Sequence, residues 1–130
     1  MTIAYELYIS IRREQDREWE KNRVGHVYLW FCYLVAAHYK EEKNVNYYAE
    51  LLGYDSRYFS KIFRTYNNGI SPLEWIRNYV CMQAKRIMND KPKQSVKETS
   101  FALGFAATGH FCRYFKRATG MTPQEYRACQ

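Results

Sequence analysis

Apolar positions recur at three- and four-residue spacing along most of the chain, and no segment alternates with the period of two that marks a strand. Ile3, Leu7, Tyr8 and Ile11 form a first stripe, followed by the charged stretch Arg12–Lys21. Residues 3–21 therefore read as a linker helix, which Gly25 is expected to interrupt. From Val27 the stripe resumes through Tyr28, Phe31, Leu34, Val35 and His38 and predicts a buried helix. Polar Lys40–Asn44 predicts a loop, after which Asn46 can cap a short helix, Tyr47–Leu52, that Gly53 stops. Asp55 or Ser56 can cap the next helix. That helix turns Tyr58, Phe59, Ile62, Phe63 and Tyr66 inward and Arg57, Ser60, Lys61 and Arg64 outward, and Asn67-Asn68-Gly69 ends it.

Ser71-Pro72-Leu73-Glu74 joins a capping box to a proline at the first helical position, where its missing N–H costs nothing. The helix opened there runs to about Met88, a strut of ~25 Å, with Trp75, Tyr79 and Ile87 expected to be buried. Pro92 breaks the chain, and Ser95-Val96-Lys97-Glu98 is a second box opening a helix to Leu103-Gly104. A further helix spans about Thr108 to Ala118 before Gly120, and Thr122-Pro123-Gln124-Glu125 starts a last turn or two ending near Arg127. The expected fold is all-α, with about seven helices in the repeat-bearing region and an N-terminal linker helix ahead of them.

The pattern repeats. Leu52-Gly53-Tyr54, Phe59-Ser60-Lys61-Ile62-Phe63-Arg64 and Ser71-Pro72-Leu73-Glu74-Trp75 return as Leu103-Gly104-Phe105, Phe111-Cys112-Arg113-Tyr114-Phe115-Lys116 and Thr122-Pro123-Gln124-Glu125-Tyr126. The offset is 51 residues at the glycine, 52 at both phenylalanines and 51 again at the proline. Each copy reads as helix, Gly-containing turn and basic second helix, the form in which a helix-turn-helix presents a recognition helix to a DNA major groove.

Charge sharpens this reading. Residues 1–52 carry 7 Lys/Arg against 8 Asp/Glu, a net of −1, whereas residues 53–130 carry 13 against 5, a net of +8. The positive field sits on the repeats, where a polyanion is expected. Val27–Ala37 is far short of the roughly 18–20 apolar residues of a membrane span, and no signal peptide is legible. Cys32, Cys81, Cys112 and Cys129 form no CxxC pair and no metal spacing with His38 or His110, as in a reduced, cytoplasmic protein. There is no nucleophile–base set, no Gly-rich phosphate loop and no pair of carboxylates in an apolar setting, so no enzyme, metal or cofactor is expected.

Taken together, the blocks resemble the AraC/XylS family of bacterial transcription regulators. The second copy carries the resemblance best, in Gly104-Phe105, Phe111-Cys112-Arg113-Tyr114-Phe115-Lys116-Arg117, Gly120-Met121-Thr122-Pro123 and Tyr126-Arg127. The resemblance covers about residues 26–128 and implies two lobes joined by the long helix, each placing a recognition helix in a successive major groove. It divides that region into a first helix-turn-helix at about 45–66, a connecting helix at about 72–89 and a second helix-turn-helix at about 95–118. It makes residues 1–25 a linker helix from an upstream sensor domain, on which dimerisation would depend, and it implies double-stranded DNA and RNA polymerase as partners.

By position in the motif, Arg57, Ser60 and Lys61 are the expected base readers of copy one, with Arg64 further along. Thr108, His110, Cys112 and Arg113 occupy the equivalent stretch of copy two, followed by Lys116. Where the family has polar residues after Gly-Phe, this chain has Ala106-Ala107, and Gly109 lies in the first turn; the second recognition helix is therefore expected to lack a cap. With Thr108 and Cys112 as the counterparts of Arg57 and Lys61, Arg113 is expected to hold a phosphate rather than a base. The phenylalanine pairs are core, His38 belongs to a core face, and Arg127 and Lys93 are surface charges. The competing reading is a non-specific nucleic-acid or protein-interaction module with the same fold.

Overall fold

The computed structural model describes residues 3–129; within the first helix, side chains are described at residues 10, 11, 13 and 14 and from residue 23 onward. Among the described residues there are seven helices and no strand. The first, α1 (Ile3–His38), is one continuous helix of 36 residues, ~54 Å long. Gly25 does not interrupt it. A lone glycine weakens a helix by only ~1 kcal/mol relative to alanine, and the missing side chain leaves room for Tyr66. A Cβ at Gly25 would lie 3.2 Å from the Tyr66 hydroxyl. Linker helix and first buried helix are thus one element. The expected stripe of Ile3, Leu7 and Tyr8 lies outside the described side chains, and Ile11 is exposed.

The C-terminal turns of α1 build the first lobe with α2 (Val45–Leu51) and α3 (Ser56–Tyr66). Asn44, not Asn46, caps α2, its side chain accepting from the Asn46 N–H at 2.9 Å. Asp55 caps α3 through the N–H groups of Arg57 and Tyr58. Phe31 is the hub. It is fully buried, with its ring centroid 5.0 Å from Phe63, 5.2 Å from Phe59, 5.5 Å from Trp75 and 5.8 Å from Tyr48.

The strut α4 (Pro72–Asp90) buries Pro72, Ile76, Val80, Cys81, Ala84 and Met88. Trp75, Tyr79 and Ile87, expected in the core, are only half-buried. The buried stripe runs one position further round, where small Cys81 and Ala84 admit close packing of α6. Trp75 and Tyr79 stack on each other at 5.5 Å and roof the edge of the first core. The complete box is at Thr122 and Glu125, where only a helix start was expected, while the two expected boxes are each half made. At Ser71 and Ser95 the hydroxyl accepts from the Glu N–H and donates to the Glu carboxylate, leaving the backbone arm unmade.

The second lobe comprises α5 (Val96–Ala102), α6 (Thr108–Thr119) and α7 (Pro123–Ala128), closed around Leu103, Phe105, Phe111 and Phe115. Two contacts tie α7 to the far end of α4. Tyr126 donates its hydroxyl to Asn89 at 3.2 Å, and Arg127, expected to be a free surface charge, donates to the Pro92 carbonyl. The four cysteines are unpaired, and burial pushes the Cys81 thiol up to about 11, which keeps it neutral.

Candidate nucleic-acid interface

On α3 the inward pair Phe59 and Phe63 fixes the rotation of the helix. Arg57, Lys61 and Arg64 are consequently exposed, with Ser60 half-buried between them. These four, with Ser56 and Thr65, line one open concavity of about 520 Å³. The Asp55 cap orders the first turn beneath Arg57, so the guanidinium extends from a fixed backbone.

On α6 the same rotation is set by Phe111 and Phe115. His110, Arg113 and Lys116 are exposed and share a groove of about 390 Å³ between α4 and α6. Thr108 and Cys112 stand apart from that groove, both half-buried, and the Cys112 sulfur lies 3.8 Å from the Gln124 side-chain nitrogen on α7. Ala107 starts α6 without any side-chain hydrogen bond to the free N–H groups, as its lack of an acceptor dictates.

The two buried phenylalanine pairs also correct the register between copies. Aligning Phe59 with Phe111 and Phe63 with Phe115 sets Arg57 against Gly109, Ser60 against Cys112, Lys61 against Arg113 and Arg64 against Lys116. Thr108 and Cys112 are therefore not the counterparts of Arg57 and Lys61. Arg113 occupies the position of Lys61, on the same face of an equivalent helix. Gly109 leaves its first turn open to that side chain, since a Cβ there would sit 3.4 Å from an Arg113 guanidinium nitrogen.

Two residues that sequence reasoning missed join the α6 groove, Arg77 from the second turn of α4 and Arg117. Arg117 was legible as the last charge of the Phe-x-Arg-x-Phe-Lys-Arg motif. Arg77 was not, because its place depends on how α4 packs across α6. The groove gathers Arg77, Arg113, Lys116 and Arg117 with His110, and among the described residues no Asp or Glu lines it or the α3 concavity. Tyr114 forms its wall; burial raises the pKa of its hydroxyl, which is solvent-shielded and has no hydrogen-bond partner among the described residues. Like charges gathered without counterions repel one another, and an anion in the groove relieves that repulsion. Among the described residues there is no metal-binding group of His, Cys, Asp and Glu, and no helix long and apolar enough to cross a membrane.

Comparison with known proteins matches residues 48–128 to a family described as a helix-turn-helix domain. The chain is 31% identical over 103 residues to the HTH-type transcriptional regulator YobQ of Bacillus subtilis, covering 79% of this chain and 42% of YobQ. It is 28% identical over 93 residues to the regulatory protein PocR of Salmonella typhimurium, covering 72% and 30%. The chain thus spans less than half the length of these curated relatives. Among solved structures it resembles the C-terminal domain of AraT, a response regulator from Geobacillus stearothermophilus, with a TM-score of 0.68 at 21% identity over 80% of this chain and 84% of that one. It also resembles the DNA-binding domain of the global transcriptional factor AdpA, solved in complex with a target DNA. There the TM-score is 0.64 at 27% identity, over 82% and 90% of the two chains.

Proposed function

Because the chain belongs to the AraC-type helix-turn-helix family, we propose that it is the DNA-binding part of a sequence-specific transcription regulator. In this reading α3 and α6 enter successive major grooves, about one helical turn or ~34 Å apart along the duplex. One observation carries it: two equivalent helices, rotated alike by equivalent buried phenylalanines, each expose a cationic face with no acidic residue among the lining positions. The relation to the DNA-bound domain of AdpA supports it.

Within that proposal Arg57 and Lys61 on α3 and Arg113 on α6 donate to base edges, guanine O6 and N7 being the acceptors that suit Arg and Lys. Ser60, Thr108 and Cys112 contribute short, weakly polar contacts. Arg64, His110 and Lys116, with Arg77 and Arg117, hold phosphates and fix the register on the duplex. We place the DNA-binding unit at residues 26–128, wider than the matched segment, because Phe31 and Val35 of α1 belong to the first lobe's core. RNA polymerase as protein partner and the cytoplasm as compartment are parts of the same proposal.

The test is a specificity ratio. A site recovered by selection from random DNA should bind roughly 10³-fold or more tightly than mixed-sequence competitor. A ratio near one would instead assign the chain to non-specific nucleic-acid or protein interaction.

A further inference from the structure

The two helix-turn-helix turns are equivalent in backbone but not in surroundings. Gly53 and Gly104 adopt φ of +82° and +86°, the left-handed conformation that ends α2 and α5. A Cβ on Gly53 would meet nothing within 4 Å. On Gly104 it would lie 1.7 Å from the carbonyl oxygen of Lys40 and 2.7 Å from that carbonyl carbon. Lys40 belongs to the loop between α1 and α2, in the first lobe. From the same loop Lys43 crosses to the second lobe, where its Nζ donates to the Leu103 carbonyl at 2.8 Å and sits 4.5 Å from the centroid of Phe105. Leu103 caps the C-terminal end of α5, where helix carbonyls lack partners, and Phe105 is buried in the second core. The Lys43 ammonium is half-buried and burial lowers its pKa; a carbonyl and an aromatic face replace part of the lost water.

We propose that the 40–43 loop is a clasp that sets the position of α6 relative to α3, making Lys43 and Gly104 determinants of the spacing between half-sites that the protein accepts. The inference rests on the DNA-binding reading for its functional consequence and on the contacts alone for its structural part. The duplex rises 3.4 Å per base pair along each strand, so a shift of that size in the second lobe moves α6 to a neighbouring base. Without the clasp, the contacts of Lys40 and Lys43 no longer tie the second lobe to the first, and a wider range of poses opens.

The experiment compares Lys43→Met, Lys43→Arg, Gly104→Ala and Gly53→Ala with the parent. Gly53→Ala carries the same backbone strain as Gly104→Ala but not the collision. Binding is measured to the selected site, to sites with the half-sites moved one base pair closer or further apart, and to each half-site alone. Lys43→Met and Gly104→Ala should flatten the spacing preference, losing about tenfold at the parental spacing and little on isolated half-sites, a size usual for coupling between two sites. Lys43→Arg should restore the preference, and Gly53→Ala should keep it. Equal loss at every spacing, or a parental profile in Lys43→Met, overturns the clasp.

Residual dipolar couplings on the free proteins provide a readout without DNA. The parent's two lobes should share one alignment and those of Lys43→Met should not; shared alignment in both overturns the clasp by itself. If the parent ignores half-site spacing while the couplings diverge as expected, the clasp stands and the DNA reading falls.

Discussion

At the scale of single residues, the two recognition helices differ most at their first position. Asp55 supplies the acceptor that α3 needs, and Ala107 supplies none although its backbone is already extended, with φ −136° and ψ 135°. Ala107→Ser should therefore stabilise the protein by about 0.5–2 kcal/mol, read as a raised urea midpoint at constant slope; an unchanged midpoint would mean that water satisfies those N–H groups equally well. The corrected register makes a second claim. Arg57→Ala, Lys61→Ala and Arg113→Ala should each relax base preference at one position and cost about 1–3 kcal/mol. Arg77→Ala and Arg117→Ala should weaken binding to all sites alike, as loss of a phosphate contact does. Site selection with the five variants decides this, and it goes against the register if Arg113→Ala leaves the selected sequence intact. The outward residues of α3 were legible because spacing alone orients a helix around two aromatics. The Lys61–Arg113 equivalence was legible in the offset of 52 at both phenylalanines, and the reading that paired Lys61 with Cys112 followed the offset of 51 at the flanking glycine and proline instead.

At the scale of helices, the described ring contacts form one set in each lobe, and a single buried core runs through α4 between them. Phe31 joins α1 to α2, α3 and α4 through four ring contacts, so Phe31→Ala should cost about 3–5 kcal/mol in lost burial and cavity formation. Trp75→Ala, at a half-buried site, should cost less than Phe31→Ala in the same denaturation series. A larger loss at Trp75 would place the hub on the wrong residue. Helix starts were readable because capping chemistry is local, as at Asp55, Ser71, Ser95 and Thr122. Continuity through Gly25 was not, since whether a glycine breaks a helix depends on what packs against it, here Tyr66 from a distant part of the chain. The one-position rotation of α4's buried stripe has the same origin: apolar residues occupy a wider arc than one neighbour can cover, and the packing of α6 selects which part is sealed.

At the scale of the whole molecule, the decisive quantity is charge distribution. Residues 53–130 carry 13 Lys/Arg against 5 Asp/Glu, and the cationic side chains of α3 and of the α4–α6 groove belong to that segment. A duplex bound there sheds one condensed counterion for nearly every phosphate neutralised, so log K should fall linearly with log salt at about −0.9 per contact. With roughly four to eight phosphates contacted, the slope should lie between about −4 and −7. The groove then makes a finer prediction. If Arg77 and Arg117 each hold a phosphate, the double variant Arg77→Ala/Arg117→Ala should lose affinity on every sequence and reduce the magnitude of the slope by about 2. If the groove merely gathers solvated charge, affinity drops slightly through the weaker long-range field while the slope stays within error of the parent's. A titration from 50 to 200 mM salt, roughly the range over which such contacts cost several powers of ten, separates the two outcomes. A flat parental titration would remove the phosphate contacts from the account and the duplex with them.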